Sequence, residues 1–180
     1  MDKAVVLIDG GYLNKICDNI FHRRVYIDRL GDALCQPNYS RFRTYYYNCP
    51  PYQDTPPTED QRNRKENYDR FKAQLQAQPR TTVREGRLRL ISRSPFDAEQ
   101  KGVDVRLACD LVKLAATHTV QKAIIVGGDA DFVPAVEIAK EDMILTSLWY
   151  VSGNCSPHLW TVCDERNVIT QSLIDSVAIR

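Results

Sequence analysis

An apolar run that ends in two glycines and two carboxylates constrains the fold of this chain more than any other stretch. It reads Ala-Ile-Ile-Val-Gly-Gly-Asp-Ala-Asp-Phe and covers residues 123–132. Short continuous apolar runs are typical of parallel strands that are buried on both faces. Acids that follow such a strand lie at the carboxyl edge of an α/β sheet, where these folds bind their ligands. The sequence therefore predicts a parallel sheet with a functional edge at Asp129 and Asp131.

Two other segments repeat this arrangement of an acid at an element boundary. Residues 4–11 read Ala-Val-Val-Leu-Ile-Asp-Gly-Gly, so Asp9 follows a second apolar run. Residues 101–104 read Lys-Gly-Val-Asp, and Asp104 begins a strongly helical stretch. Three acids from separated segments predict a metal site, because the ends of neighbouring elements converge at one edge of the sheet.

Alternating strand and helix signals predict a three-layer α/β/α sandwich with a mainly parallel central sheet. Strands are expected at residues 4–8, 41–47, 122–127, 144–151 and 167–170. Helices are expected at residues 12–20, from Asp28 to about residue 36, and at 103–116, 131–141 and 157–163. Residues 81–91 carry Glu85-Gly86 between alternating runs, which predicts a hairpin or a bent strand.

The length and composition predict one globular domain over residues 1–180. A polar insertion covers about residues 50–79, where four prolines precede a long exposed helix that ends at Pro79. Apolar residues make up 43% of the chain and charged residues 26%, which is ordinary for a globular protein. The net charge of +1 provides no global field for nucleic acid, so any such binding needs a local patch.

The sequence also indicates the compartment. Its apolar runs are far shorter than the roughly 20 residues that a membrane span needs, and no signal peptide is recognisable. The six cysteines form no Cys-x-x-Cys pair, so they are expected to be reduced thiols of a cytoplasmic protein. No membrane partner is expected.

The candidate acids differ in what their positions favour. Asp104 lies within the apolar stripe of its helix, where an unpaired acid is costly unless it is hydrogen-bonded, protonated or bound to a cation. The alternative is an acid stabilised by the positive end of the helix. Asp9 is equally a ligand or the cap of the next helix, and Asp131 is equally a cap or a catalytic group.

Asp129, nearer the strand end, is a better ligand than Asp131. Asp110, at the edge of the apolar stripe of its helix, is expected to form a salt bridge with Arg106 or Lys113.

A carboxylate set without neighbouring histidine or cysteine ligands suits hard cations, Mg²⁺ or Mn²⁺ rather than Zn²⁺. Such ions orient a phosphate group and activate a water molecule. Hydrolysis of phosphodiester bonds is the reaction class that these residues favour.

Three motifs together resemble the NYN domain of the PIN-like nuclease superfamily. They are Ile-Asp-Gly at residues 8–10, Lys-Gly-Val-Asp-Val at 101–105 and Gly-Asp-Ala-Asp-Phe-Val-Pro at 128–134. The resemblance implies a PIN-like sandwich that cleaves RNA with Mg²⁺ or Mn²⁺. It places the metal ligands at Asp9, Asp104 and Asp129, with Asp131 as a supporting catalytic residue that orients a bound water.

The chain departs from this family at two positions. The family often has asparagine three residues after the first aspartate, where this chain has Tyr12, although Asn14 is close by. The serine that the family carries before Gly-Asp is Gly127 here. These departures leave open a second reading, a catalytically weak or inactive module that binds RNA or a protein. A phosphatase acting on small metabolites is less favoured, because Asp9-Gly10-Gly11 lacks the second acid of a nucleophilic Asp-x-Asp motif.

Basic side chains predict where the substrate lies. The residues expected to contact it are Asn14, Arg84, Arg87, Arg89 and Lys101. The arginines would follow a phosphate backbone towards the acids, or they would protect a solvated sheet edge. RNA, single-stranded or structured, is the expected partner, and the sequence leaves homodimer formation open.

Overall fold

The central sheet follows from strands that are apolar on both sides. In β1, Val5 and Leu7 are buried in one core, whereas Ala4, Val6 and Ile8 are buried in a second core on the opposite face. Side chains alternate between the two faces of a strand, so a strand with this pattern is covered by helices on both sides. This is the physical basis of the predicted three-layer sandwich.

In the computed structural model the backbone is described for residues 1–93 and 96–179, and the side chains for residues 1–87 and 102–179. The strands are β1 (Asp2–Asp9), β2 (Tyr39–Asn48), β3 (Thr81–Glu85), β4 (Arg87–Arg93), β5 (Phe96–Lys101), β6 (Lys122–Val126), β7 (Leu145–Tyr150) and β8 (Glu165–Val168). The α-helices are α1 (Gly10–Ile16), α2 (Ile27–Cys35), α3 (Glu59–Gln76), α4 (Val103–Ala116), α5 (Val133–Glu141), α6 (Pro157–Val162) and α7 (Gln171–Val177).

Six of these strands form one parallel sheet in the order β3-β2-β1-β6-β7-β8. The predicted α/β sandwich is confirmed, and within the described residues its main sheet is wholly parallel. The chain starts in the middle at β1, builds outward to β3, and returns to β6 on the other side of β1. The boundary between β1 and β6 is thus a switch point, where the crevice at the carboxyl ends of the strands binds ligands in such folds.

The two cores divide the helices between the faces of the sheet. Leu107 and Leu111 of α4 and Val136 of α5 are buried in the core that contains Val5 and Leu7. Other helical residues are buried in the core that contains Val6 and Ile8, namely Leu13 of α1, Leu30 of α2, Leu75 of α3 and Ile174 of α7. Both faces of the parallel sheet are therefore covered.

The polar insertion contains helix α3, which packs at the β3 end of the main sheet. The hydroxyl of Thr58 accepts a hydrogen bond from the Gln61 backbone, and the Gln61 side chain accepts one from the Thr58 backbone, which completes a capping box. Most of α3 is exposed, as the sequence predicts, but Leu75 is buried and Phe71 packs edge-on against Tyr46 at 5.7 Å between ring centroids. The Phe71 contact attaches the insertion to β2, and hydrogen bonds from Tyr68 and Lys72 to Glu85 attach it to β3.

Several local features differ from the sequence predictions. The helix expected at 12–20 starts at Gly10 and continues after Ile16 as a π-helical turn, Cys17–Phe21. The strand expected at 167–170 is β8, at Glu165–Val168, and α7 was not predicted. Of the two forms expected for residues 81–91, the hairpin centred on Glu85-Gly86 is wrong. The chain leaves the main sheet after Glu85, and β4 then pairs antiparallel with β5. Within the described residues, no helix has the length and apolar character of a membrane span.

Candidate metal centre

The predicted acids converge on the switch point of the sheet. Asp9 is the last residue of β1, and Asp129 follows the neighbouring strand β6 by three residues. Asp104 is the second residue of α4, on the face of the sheet that α4 and α5 cover. Elements far apart in the sequence thus deliver carboxylates to one edge, because parallel strands end on the same side.

Three carboxylates form a compact cluster. One oxygen atom from each of Asp104, Asp129 and Asp131 lies within 4.8 Å of the others. Asp104 is half-buried, whereas Asp129 and Asp131 are exposed. Carboxylate oxygens at this separation fit a hard divalent cation, which takes oxygen ligands and keeps several water molecules. The donor set is therefore consistent with a divalent metal site.

The electrostatic surroundings of Asp104 also favour a bound cation. Burial raises the pKa of the Asp104 carboxyl above its usual value, and the charges of Asp129 and Asp131 raise it further. A cation bound among these carboxylates would remove the repulsion between their like charges. The placement of Asp104 in the apolar stripe of α4 is consistent with this arrangement.

Asp9 lies beside the cluster and has two roles in the structure. Its Oδ1 accepts a hydrogen bond of 3.0 Å from the Tyr12 backbone, so it caps α1. Burial, together with the nearby charges of Asp104 and Asp129, raises its pKa from 3.8 to about 6, although the hydrogen bond from Tyr12 opposes the shift. Asp9 therefore caps α1 and is close enough to be affected by the charges of Asp104 and Asp129, but it lies outside the 4.8 Å cluster.

The helix cap expected at Asp131 lies at Asp129 instead. Asp129 Oδ1 accepts a 3.0 Å hydrogen bond from the Asp131 backbone and begins a 3₁₀ turn, Ala130–Phe132, that leads into α5. Pro134 falls in the first turn of α5, as expected, because a missing backbone N–H is tolerated there. The Asp131 side chain is thus free of this capping role and turns its carboxylate towards the cluster.

The sequence matches the NYN domain over residues 3–170, which is most of the chain. The protein belongs to the NYN-domain family. Among solved structures, a protein of unknown function from Vibrio parahaemolyticus is similar, with a TM-score of 0.63 and 17% sequence identity. The similarity covers 99% of this chain and 96% of that one, and it shows a shared fold. No curated protein matches the sequence.

Tyr12, the first departure from the NYN pattern, connects α1 to the segment that follows β7. Its hydroxyl accepts a 2.8 Å hydrogen bond from the Val151 backbone, just after β7. Burial is the main reason that its pKa rises to about 12, so the hydroxyl stays protonated at neutral pH. Tyr12 therefore links two segments that border the acidic site, α1 and the chain after β7.

The second departure, Gly127, lies between Phe132 and Asp9. A Cβ atom at this position would be 3.0 Å from the Phe132 ring and 3.6 Å from the Asp9 Cβ. The next residue, Gly128, is closer still to its neighbours, because a Cβ there would be 2.3 Å from the Asn154 carbonyl oxygen. Gly128 thus allows the loop after β7 to pack close to the acids, and Gly127 allows Phe132 to pack beside Asp9.

The NYN site opens into two cavities that meet near Ala130. The larger, about 610 Å³, contains Asp9, Asp129 and the exposed Lys15. The smaller, about 400 Å³, contains Asp104 and Asp131. Lys15 was not selected from the sequence, although its position four residues after Gly11 places both on one side of α1. It gives the acidic cavity a cation that can contact a phosphate group.

The residues expected to bind substrate occupy different places. Asn14 lies in a separate cavity from Lys15. Arg84 pairs with Asp110 at 3.0 Å, so the salt bridge expected for Asp110 forms with β3 and not with Arg106 or Lys113. Arg87 is exposed at the start of β4. The side chains of Arg89 and Lys101 lie outside the described residues.

Proposed function

We propose that this NYN domain is a metal-dependent ribonuclease that hydrolyses phosphodiester bonds in RNA. The observation that carries the proposal is the cluster of Asp104, Asp129 and Asp131, with oxygen atoms within 4.8 Å of one another, beside the half-buried Asp9. This cluster lies at the switch point of a parallel sheet, where ligand sites of such folds are found. Membership of the NYN family supplies the reaction class.

The four acids have distinct positions, and these support distinct roles. By resemblance to the family, Asp9, Asp104 and Asp129 would hold Mg²⁺ or Mn²⁺, and the exposed Asp131 would orient the attacking water. When bound, the ion stabilises charge on the phosphate oxygens and lowers the pKa of a water molecule. Lys15 contacts a phosphate of the substrate from the opposite wall of the larger cavity. By resemblance to the family, the products carry 5′-phosphate and 3′-hydroxyl ends.

The test is cleavage of end-labelled RNA with Mg²⁺, Mn²⁺ or EDTA, comparing the wild type with Asp104→Asn and Asp129→Asn. Each variant keeps the shape of the side chain and loses its charge. Loss of one ligand is expected to reduce the rate by at least ~100-fold, since metal ions provide several kcal/mol of transition-state stabilisation. A circular RNA of the same sequence separates endonucleolytic from exonucleolytic cleavage, because only an endonuclease opens it.

The matched control is Asp2→Asn, at the amino end of the same strand whose carboxyl end carries Asp9. Asp2 is exposed, so this variant also loses one carboxylate but leaves the site intact. Cleavage that survives in Asp104→Asn, or that continues in EDTA, contradicts the proposal. RNA that is bound but never cut by the wild type would instead favour the regulatory module.

A further inference from the structure

A second cavity lies on the opposite side of α1 from the acids. The acidic cavity contains Gly11, Tyr12 and Lys15, whereas this one contains Leu13, Asn14 and Cys17. At 100° per residue these two sets point in nearly opposite directions. The second cavity has a volume of about 290 Å³, close to the lower limit of ligand pockets, about 300 Å³. It is large enough for one planar ring system.

The walls of this cavity are mostly apolar and aromatic. Tyr46 comes from β2, and Tyr68 and Phe71 come from the inserted helix α3. The Tyr46 and Phe71 rings meet edge-on, at 76° between their planes. Tyr46 is fully buried and forms the floor of the cavity, so the rings with accessible surface are those of the half-buried Tyr68 and Phe71. Aromatic faces bind unpaired nucleobases by stacking, irrespective of the base.

Polar groups in the cavity are few and provide hydrogen-bond donors. Asn48 Oδ1 accepts a 2.8 Å hydrogen bond from the Cys49 backbone. Asn14 Oδ1 accepts a 3.3 Å hydrogen bond from Arg24. With both oxygens used in this way, each side chain presents its amide nitrogen, a donor suited to the carbonyl oxygen of a base. Arg24, which is exposed and also pairs with Asp18, adds a cation at the cavity.

The cavity adjoins the acidic edge of the sheet. Asn48 is the last residue of β2, and its neighbour Tyr47 pairs with Asp9 across the two strands. The Tyr46 ring packs directly against Gly10, where a Cβ atom would be 2.7 Å from the ring. A base in the cavity would therefore contact the same helix start that Asp9 caps, with α1 between the base and the acids.

We propose that this cavity is a nucleobase pocket, which holds one unpaired base of the RNA strand whose phosphodiester lies at the acids. The proposal rests on the proposed ribonuclease function and names the substrate class: RNA with an unpaired nucleotide a short distance along the strand from the cut. The two amide donors favour guanine, uracil or cytosine over adenine, because adenine alone has no carbonyl oxygen to accept a hydrogen bond. In this proposal the inserted helix α3 contributes to substrate binding, because its Tyr68 and Phe71 form two of the aromatic walls.

The first experiment uses the wild-type protein and measures binding by fluorescence anisotropy of a labelled single-stranded RNA in EDTA. A series of RNAs carries one abasic site, moved along the strand one nucleotide at a time. The pocket predicts one position at which loss of the base weakens binding by about tenfold, since stacking and hydrogen bonds are lost together. Equal effects at every position, or no effect, would overturn the proposal.

The second experiment assigns that position to the cavity. Asn48→Leu and Asn14→Leu remove the amide donors at nearly constant volume, and Asn63→Leu on the exposed face of α3 is the control. Each cavity variant should weaken binding of the intact RNA by about tenfold and show little further loss with the abasic RNA. The control should behave as the wild type, and thermal unfolding identifies any variant that fails to fold.

Two further outcomes separate this inference from the ribonuclease proposal. In the first, free nucleoside monophosphates are added as competitors. If they bind the cavity while Asn48→Leu and Asn14→Leu leave the affinity for RNA unchanged, the cavity binds a free nucleotide and the proposal fails. Because binding is measured in EDTA, it does not depend on cleavage. A protein that cuts RNA with all cavity variants unchanged would refute the pocket alone, whereas pocket-dependent binding without cutting would refute the ribonuclease alone.

Discussion

Replacing Asp9 by asparagine should stabilise the fold when divalent cations are absent. Burial and the charges of Asp104 and Asp129 raise the pKa of Asp9 to about 6, so the fold favours its neutral form. Asparagine is uncharged at every pH and keeps an oxygen that accepts the hydrogen bond from the Tyr12 backbone, as good helix caps do. The variant therefore loses the charge and retains the cap.

The magnitude follows from the difference between the folded and unfolded pKa values, about 6 and 3.8. Between these values the folded protein binds more protons, so the stabilisation from neutral Asp9 is complete below about pH 4 and is lost as the pH rises through about 6. A shift of about 2 units corresponds to ~3 kcal/mol. The gain from Asp9→Asn should rise from below ~1 kcal/mol near pH 4 to ~3 kcal/mol near pH 8.

The assay is urea unfolding of the wild type and Asp9→Asn at several pH values in EDTA, with Asp2→Asn as the control. The quantity compared is the free energy of unfolding at each pH. Asp2 is exposed, so its variant should show no comparable gain. A destabilised Asp9→Asn variant at pH 8, or a gain that does not change with pH, would refute the reasoning. Adding Mg²⁺ should reverse the order, because only the wild type keeps the full ligand set.

Three other variants and one pH-dependent measurement give separate tests. Gly128→Ala should cost ~1–3 kcal/mol in urea unfolding, since its Cβ would lie 2.3 Å from the Asn154 carbonyl oxygen and 2.9 Å from the Tyr12 ring. Gly102→Ala, which has a positive φ of 82° but open space around it, should cost only ~1 kcal/mol, from the strained backbone. Tyr12→Phe should lower the free energy of unfolding by ~1–3 kcal/mol, because the Val151 backbone N–H loses its acceptor. Mg²⁺ affinity, measured by calorimetry, should increase up to about tenfold per pH unit below about pH 6, because binding requires Asp9 to release its proton. This dependence should weaken in Asp9→Asn.

The fold was predictable where local and global signals agree. The apolar runs of β1 and β6 are buried on both faces, so their composition alone indicates a covered parallel sheet. Helix α7 was missed because its seven residues bury only Ile174 and Val177, too few to show a period. The signal at Glu85-Gly86 is real but marks the end of β3, since the following strand β4 pairs outside the main sheet.

The candidate site was predictable only in part, since several of its contacts are not local. The apolar stripe of α4 indicates that Asp104 is unusual, because that argument needs only helical spacing. The choice between Asp129 and Asp131 as a cap depends on the 3₁₀ turn, and two acids around one alanine give no sequence signal for it. Arg84 resembles part of a phosphate track, but its partner Asp110 comes from a helix 26 residues further along.

The two departures from the NYN pattern are best understood through the packing around them. The Tyr12 ring lies where a Cβ on Gly128 would be 2.9 Å away, so Tyr12 and Gly128 fit each other. Asparagine at position 12 would be too short to reach the Val151 backbone, which Tyr12 now contacts at 2.8 Å. Neither departure removes a carboxylate or separates the acids. With tyrosine in place of asparagine, the start of α1 is hydrogen-bonded to the backbone just after β7. This bond joins two segments that line the acidic cavity, α1 and the chain that follows β7.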